Sequence, residues 1–198
     1  MVAGVGGQGV LFISEVLGEA ALEEGLDARV AEIHGMAQRG GSVVCSVRIG
    51  EKVHAPTIME GSADLILGLE PLEGLRLLRY ASKGTLIVLN KVPIVPSSAP
   101  LLGKKYPSLD EILGEISRVS PTLTLDAAAI AAKTGNLGSQ NSAMLGFVSA
   151  TNRLPTKTET LKRTIAKASP RYASANLEAF HLGKEEYSKK QTHSPPAL

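Results

Sequence analysis

The spacing of the apolar positions changes several times along the chain, and each change marks a predicted element. Between Val10 and Glu24 apolar residues recur every three or four positions, which is typical of a helix. Residues 42–49 alternate between apolar and polar side chains, and residues 64–69 form the near-continuous apolar run of a strand buried on both faces. The pattern predicts strands at 1–3, 28–33, 42–49, 64–69, 84–90 and 122–125, and helices at 10–24, 71–82, 108–117, 127–133, 139–152, 156–168 and 172–187.

These elements indicate an α/β protein with a Rossmann-like, mostly parallel sheet and a helical C-terminal part. Residues 1–33 are expected to form a first βαβ unit. Residues 50–52 are typical of a hairpin turn that returns 53–55 beside 42–49, so a β-hairpin insertion follows the second strand. The proline-rich segment 91–107 predicts a loop or edge segment. We expect one domain over 1–187 and a mobile tail over 188–198.

Composition narrows the functional classes. The 198 residues are 43% hydrophobic with a net charge of +2, as in a globular protein with a sizeable core. With no Trp, three Phe and four Tyr there is little stacking surface, so nucleic-acid binding is not expected. The single cysteine, Cys45, excludes an internal disulfide and an iron–sulfur cluster held within this chain. We find no apolar run that would span a membrane and no signal-peptide pattern, which predicts a cytoplasmic location without membrane contact.

A glycine-rich turn joins the first strand to the first helix. Gly4, Gly6 and Gly9 satisfy the G-x-G-x-x-G spacing, with Gly7 and Gln8 inside it. Such glycines let backbone N–H groups approach an anion at the positive end of a helix. Glu32 then stands where the ribose-binding acid of an NAD or FAD site would lie. The alternative is that the glycines serve only a tight turn and close packing.

A second glycine-rich loop, His34-Gly35-Met36-Ala37-Gln38-Arg39-Gly40-Gly41-Ser42, follows the second strand. Its expected place is the carboxyl edge of the sheet, where ligands of open α/β sheets bind. Arg39 offers a fork of donors to a carboxylate or phosphate, and Gln38 offers a donor and an acceptor. An interface loop with Arg39 in an ion pair between subunits is an equal alternative. His34 is a candidate general base, although a lone histidine at a strand end is more often structural.

Small residues repeat every four positions at Gly138, Ser142 and Gly146. This leaves one helix face nearly bare, which favours close approach of another helix or subunit over a ligand. Asn141 is compatible with contact to a ligand, and a packing role is at least as good an explanation. Neither a nucleophile motif nor a complete catalytic set is evident, and we predict no catalytic residue and no metal ligand.

Three segments together carry a resemblance: Gly-Val-Gly-Gly-Gln-Gly at 4–9, Glu-Ile-His-Gly-Met-Ala-Gln-Arg-Gly-Gly-Ser-Val at 32–43, and Ala-Asp-Leu-Ile-Leu-Gly-Leu-Glu-Pro-Leu-Glu at 63–73. In this order they resemble the gamma-type domain of 2-oxoacid:ferredoxin oxidoreductases, over residues 1–185. The similarity is greatest to the branch that acts on indolepyruvate.

The resemblance implies a subunit that completes a larger enzyme and is inactive alone. Such enzymes decarboxylate a 2-oxoacid on thiamine diphosphate, pass electrons through iron–sulfur clusters to ferredoxin, and transfer the acyl group to coenzyme A. The thiamine and clusters are expected on an alpha subunit, with coenzyme A as co-substrate near this chain. The implied ligand-facing residues are Gly4, Gly6, Gly7, Gln8, Gly9, His34, Gly35, Met36, Gln38, Arg39, Gly40, Gly41 and Ser42.

Two other hypotheses stay open at this point. One is a self-sufficient oxidoreductase that binds NAD or FAD through Glu32 and the glycine turn. The other is a binding or regulatory module without redox chemistry. A homodimer of the isolated chain is compatible with each of the three.

Overall fold

The computed structural model describes residues 1–35, 40–95 and 105–193. The strands in these ranges are β1 (Val2–Val5), β2 (Asp27–His34), β3 (Ser42–Gly50), β4 (Leu65–Gly68), β5 (Leu86–Asn90) and β6 (Thr122–Leu125). The helices are α1 (Val10–Glu23), α2 (Pro71–Arg76), α3 (Leu109–Ser117), α4 (Ala127–Lys133), α5 (Gln140–Ser149), α6 (Thr158–Ala168) and α7 (Ala173–His193). Short 3₁₀ turns lie at Leu78–Tyr80, Leu137–Ser139 and Pro170–Tyr172.

The strands form one sheet in the order β2-β3-β1-β4-β5-β6. Strands β1, β4, β5 and β6 are parallel neighbours, whereas β3 runs antiparallel to both β1 and β2. The predicted fold class, a mostly parallel sheet with a helical C-terminal part, is therefore confirmed. Each of the parallel strands ends at the same edge of the sheet, which we call the carboxyl edge.

The predicted pairing around β2 is wrong in two respects. Strand β2 does not lie beside β1 as in an ordinary βαβ unit, because β3 is inserted between them. Cys45 of β3 lies opposite Val2 of β1 on one side and opposite Glu32 of β2 on the other. The hairpin therefore consists of β2 and β3, and residues 53–55 form no strand. The backbone N–H of Val53 donates instead to the Asp27 carboxylate at 3.0 Å, which uses the group that a ladder would need.

Helices cover the two faces of the sheet and create two cores. One face packs against α1 and the C-terminal helices through side chains such as Ile13, Met144 and Phe147. The other packs against α2 and α3 through Leu77, Ile112 and Ile116. The helices that follow β1 and β4 thus lie on opposite faces, which opens a crevice between the carboxyl ends of these two strands.

Local sequence signals account for most helix ends. Ser108 and Glu111 form the predicted capping box of α3, with the Ser108 hydroxyl accepting from the Glu111 backbone N–H at 3.2 Å. Pro71 occupies the first turn of α2, where its missing N–H costs no hydrogen bond. Helix α7 continues to His193, six residues beyond the predicted end, and residues 194–198 of the expected tail lie outside the described residues.

Candidate functional site at the carboxyl edge

The glycine turn connects β1 to α1 at the mouth of the crevice. Gly7 and Gly9 have φ values of 102° and 78°, in the left-handed region that favours glycine. Gly9 is the N-cap of α1, and no side chain among the described residues caps this helix end. The positive end of the helix therefore carries backbone N–H groups without a side-chain acceptor, as an anion site requires.

The Gln8 side chain spans the crevice from one strand to the next. Its Oε1 accepts from the Val5 backbone N–H at 2.7 Å, and its Nε2 donates to the Leu69 carbonyl at 2.9 Å. A Cβ on Gly4 would lie 2.9 Å from this Oε1, so Gly4 is buried in β1 beneath Gln8. The structure thus places Gln8 as a brace between β1 and β4, with its amide already bonded to the backbone.

Asn141, at the start of α5, holds the turn from the other side. Its Nδ2 donates to the carbonyl oxygens of Gln8 at 2.8 Å and of Gly9 at 3.2 Å. A Cβ on Gly9 would lie 2.4 Å from this nitrogen, so the close approach depends on glycine. Asn141 therefore fixes the turn across a long sequence separation, a role that the sequence left undecided.

The second glycine-rich loop meets the turn at its C-terminal stem. The Gly6 N–H donates to the Gly41 carbonyl at 2.8 Å, and the Gly40 N–H donates to the Gly6 carbonyl at 3.4 Å. Gly35 and Gly40 are exposed, and the backbone of His34 ends β2. Met36, Gln38 and Arg39 were predicted as ligand-facing residues and lie outside the described residues, as does Ala37.

Ser42 ends this loop and is bonded to a group that the sequence-based prediction missed. Its hydroxyl donates to Glu73 Oε2 at 2.5 Å, and Glu73 Oε1 accepts from Arg76 at 3.0 Å. The hydroxyl proton of Ser42 is thus used within the protein. Glu73 is buried in the first turn of α2, directly after the crevice strand β4.

Glu70 precedes Glu73 in the same turn and is also buried. Its carboxylate caps α2 by accepting from the Glu73 N–H at 3.0 Å, and it accepts from the Ile94 N–H at 3.2 Å and from the Tyr106 hydroxyl. Burial and this bond to a carboxylate raise the pKa of Tyr106. Both glutamates lie in the segment 63–73, one of the three segments that carry the family resemblance. That resemblance is the sequence signal by which Glu70 and Glu73 could have been predicted as site residues.

Glu32 does not reach the glycine turn. It is exposed on β2, and β3 separates β2 from β1, so the two strands are about 10 Å apart at the usual strand spacing. The geometry therefore lacks the acid beside the first strand on which a dinucleotide site depends. This disfavours NAD or FAD binding by the turn.

The small-residue face of α5 packs against α7, as predicted for a neighbouring helix. A Cβ on Gly146 would lie 1.9 Å from the Phe180 carbonyl oxygen, so the two helix backbones touch. Ser142 is buried there, whereas a Cβ on Gly138 would meet only the nearby Asn136 side chain. Packing is thus the observed role of Gly146.

The rest of the described structure offers few competing sites. A cavity of about 720 Å³ lies at the opposite edge of the sheet, near Arg48, Asp64 and Arg153, and none of the described candidate residues lines it. Within residues 1–35, 40–95 and 105–193 no three His, Cys, Asp or Glu side chains are grouped to hold a metal ion. No helix in the same ranges is long and apolar enough to cross a membrane.

The sequence of residues 1–186 matches the family model described as pyruvate ferredoxin/flavodoxin oxidoreductase. The chain belongs to this family. It is 41% identical over 200 residues to the indolepyruvate oxidoreductase subunit IorB of Archaeoglobus fulgidus, covering 100% of this chain and 98% of that protein. It is 41% identical to the IorB subunit of Methanothermobacter thermautotrophicus, covering 92% of this chain and 93% of that one.

Solved structures share the fold. The pyruvate oxidoreductase subunit PORC of Thermotoga maritima has a TM-score of 0.71 at 21% identity, covering 93% of each chain. The 2-oxoglutarate:ferredoxin oxidoreductase of Magnetococcus marinus, solved with 2-oxoglutarate, coenzyme A and succinyl-CoA bound, has a TM-score of 0.72 at 20% identity. That match covers 98% of this chain and 31% of the larger chain, so the fold occurs there as one part of a longer polypeptide.

Proposed function

We propose that this chain is the smaller subunit of an indolepyruvate-type 2-oxoacid:ferredoxin oxidoreductase, which converts an aryl 2-oxoacid to an acyl-CoA and reduces ferredoxin. The observation that carries the proposal is the near-complete alignment with indolepyruvate oxidoreductase subunits at 41% identity. The described parts of the three motif segments at 4–9, 32–43 and 63–73 meet at one crevice, which gives the resemblance a physical location. The larger subunit carries thiamine diphosphate and the iron–sulfur clusters.

The distribution of chemistry in the chain supports this division of labour. The one cysteine is buried in the core beside β1, whereas iron–sulfur clusters need about four thiolate ligands. The described side chains at the crevice are the amides of Gln8 and Asn141, the Ser42 hydroxyl and the carboxylates of Glu70 and Glu73, and each is hydrogen-bonded within the chain, so they serve to bind and orient. The chain's contribution is therefore a shaped, anion-accepting edge beside the partner's active site.

Exposed apolar side chains surround this edge and fit a docking surface for the larger subunit. They lie near strand ends or at the starts of helices there, with exposed fractions from 36% to 64%: Leu11, Ile33, Val92, Ile94, Val95 and Leu137. Apolar side chains around a polar depression are typical of a protein interface. We place the larger subunit over this edge, where it would cover the glycine turn and the 34–42 loop.

The glycine turn and the loop are the proposed contact region for coenzyme A, whose phosphates match the open N–H groups of α1. The proposed ligand-facing positions remain those of the two motifs: Gly4, Gly6, Gly7, Gln8 and Gly9 in the turn, and His34, Gly35, Met36, Gln38, Arg39, Gly40, Gly41 and Ser42 in the loop. Of these residues, Gly4 contributes by packing beneath Gln8, and Ser42 contributes by anchoring the loop to Glu73. Arg39 remains the proposed phosphate or carboxylate donor on the basis of the sequence. A cytoplasmic location also stays a prediction from the sequence.

The test is co-purification from the native cell, followed by assay of the recovered complex. We expect a large partner containing iron and thiamine diphosphate, with coenzyme A-dependent reduction of ferredoxin by indolepyruvate exceeding that by pyruvate. Arg39→Ala should lower this turnover or the yield of complex, while Arg118→Ala, at the exposed residue that follows α3, should change neither. An isolated chain that binds NAD or FAD tightly, or a partner without iron and thiamine, would overturn the proposal.

A further inference from the structure

The first turn of α2 carries two carboxylates that are almost fully buried, Glu70 at 1% and Glu73 at 5% exposure. Burying a carboxylate is costly unless it is paired or hydrogen-bonded, so its partners reveal what the burial accomplishes. In both cases these partners include residues from loops at the carboxyl edge of the sheet. Both glutamates follow β4, whose carboxyl end forms one wall of the crevice.

Glu73 holds the C-terminal stem of the 34–42 loop. It accepts the Ser42 hydroxyl at 2.5 Å, while the Arg76 guanidinium at 3.0 Å balances its charge. Gly41, adjacent to Ser42, accepts the Gly6 N–H at 2.8 Å. One chain of contacts therefore runs from helix α2 through the loop stem to the glycine turn.

Glu70 holds the stems of a second loop. One carboxylate oxygen accepts from both the Ile94 N–H and the Tyr106 hydroxyl. Ile94 precedes and Tyr106 follows residues 96–104, so the same atom joins the two sides of that segment. The other oxygen caps the Glu73 N–H at 3.0 Å, which fixes the two glutamates relative to each other.

We propose that Glu70 and Glu73 are positioning residues that fix the stems of both loops, at Ser42 and at Ile94 and Tyr106, against the start of α2. This inference rests on the proposed function, in which the 34–42 loop contacts coenzyme A. The loops are long and rich in glycine or proline, whereas α2 is held by Pro71, a side-chain cap and its packing on β4. A shared anchor on one helical turn sets the positions of the stems of both loops together. Neither glutamate takes part in the reaction itself.

The kinetic test uses the complete complex with its larger subunit. Ser42→Ala and Glu73→Ala should each raise the KM for coenzyme A by about tenfold, the loss expected for one hydrogen bond to a charged group, with kcat changed less than about twofold. The double variant should be no worse than Glu73→Ala, because both changes remove the same link. Glu73→Gln keeps an acceptor for Ser42 and should recover part of the loss. Glu115→Gln removes an exposed glutamate with the same i,i+3 arginine spacing and is the matched control.

Hydrogen exchange of the same complexes supplies a readout that does not depend on turnover. Ser42→Ala and Glu73→Ala should accelerate exchange of the Gly6 amide by about tenfold, and Glu70→Gln should accelerate that of the Ile94 amide by at least about threefold. Additive KM effects, equal effects of Glu115→Gln, or unchanged exchange at Gly6 and Ile94 would overturn the anchor. A wild-type complex that fails to oxidise indolepyruvate would instead refute the proposed function, while the exchange results would still judge the anchor.

Discussion

Replacing Gly9 with alanine should destabilise the protein mainly through Asn141. At φ 78° an alanine costs about 1–2 kcal/mol relative to ordinary backbone conformations. The new Cβ would also lie 2.4 Å from Asn141 Nδ2, which must then leave the carbonyls of Gln8 and Gly9. Two hydrogen bonds of about 1 kcal/mol each bring the expected total to about 3–4 kcal/mol.

Gly25 provides a matched control for the backbone part of this cost. It has φ 79°, and a Cβ there would meet nothing within 4 Å. Gly25→Ala should therefore cost only about 1–2 kcal/mol, about 2 kcal/mol less than Gly9→Ala. In an Asn141→Ala background the nearest atom to the Gly9 Cβ is Phe12 Cβ at 3.7 Å, and the two glycine substitutions should become equal.

Urea-induced unfolding of the wild type, the three single variants and the two double variants, followed by circular dichroism, measures these differences. The reasoning is refuted if Gly9→Ala costs no more than Gly25→Ala. It is also refuted if the excess cost of Gly9→Ala persists after Asn141 has been truncated, because the excess would then have another origin.

Three further predictions concern packing, pH and capping. Gly146→Ala places a Cβ 1.9 Å from the Phe180 carbonyl oxygen and should lower the free energy of unfolding by about 3 kcal/mol or more. Gly114→Ala, inside α3 with open space around it, should instead raise the free energy of unfolding by about 0.5–1 kcal/mol. Thermal unfolding of the two variants measures the difference. The Val53 N–H and Arg29 lower the pKa of Asp27, so its carboxylate stabilises the fold above its ordinary pKa near 4 and loses that contribution as the pH falls through the lower folded pKa. Asp27→Asn should accordingly flatten the pH dependence of stability below about pH 4, and an unchanged profile from pH 2 to 5 would contradict this. Ser108→Ala breaks the capping box and should cost about 1 kcal/mol in urea unfolding, and a change below about 0.3 kcal/mol would argue against its role.

Local patterns in the sequence were sufficient to predict most of the helices and strands. Helix α1 follows directly from apolar spacing and Gly25, and α3 from the capping box at Ser108. These features depend on residues within one or two turns of each other, so a single sequence contains the information. The family resemblance likewise rested on contiguous motifs, and the match over residues 1–186 confirms it.

Strand order could not be obtained in the same way. The alternation over 42–49 fits β3 equally well beside a strand from 53–55 or between β1 and β2. In the observed place β3 pairs with both β1 and β2, and Cys45 and Val43 are buried in the core beneath α1, so the position depends on contacts with residues distant in sequence. Hydrogen-bond partners of a strand are non-local, and the apolar pattern specifies only which face is buried.

The sequence by itself determined the α/β class, the glycine turn, the second glycine loop and the family of this protein, because each is written in neighbouring residues. Only the tertiary structure decided that Asn141 holds the turn, that Gln8 bridges β1 to β4, and that Glu70 and Glu73 anchor two loops. These contacts join residues up to 133 positions apart. A buried polar side chain is bonded to whatever donor or acceptor the packed chain brings to it, and packing is a property of the whole fold.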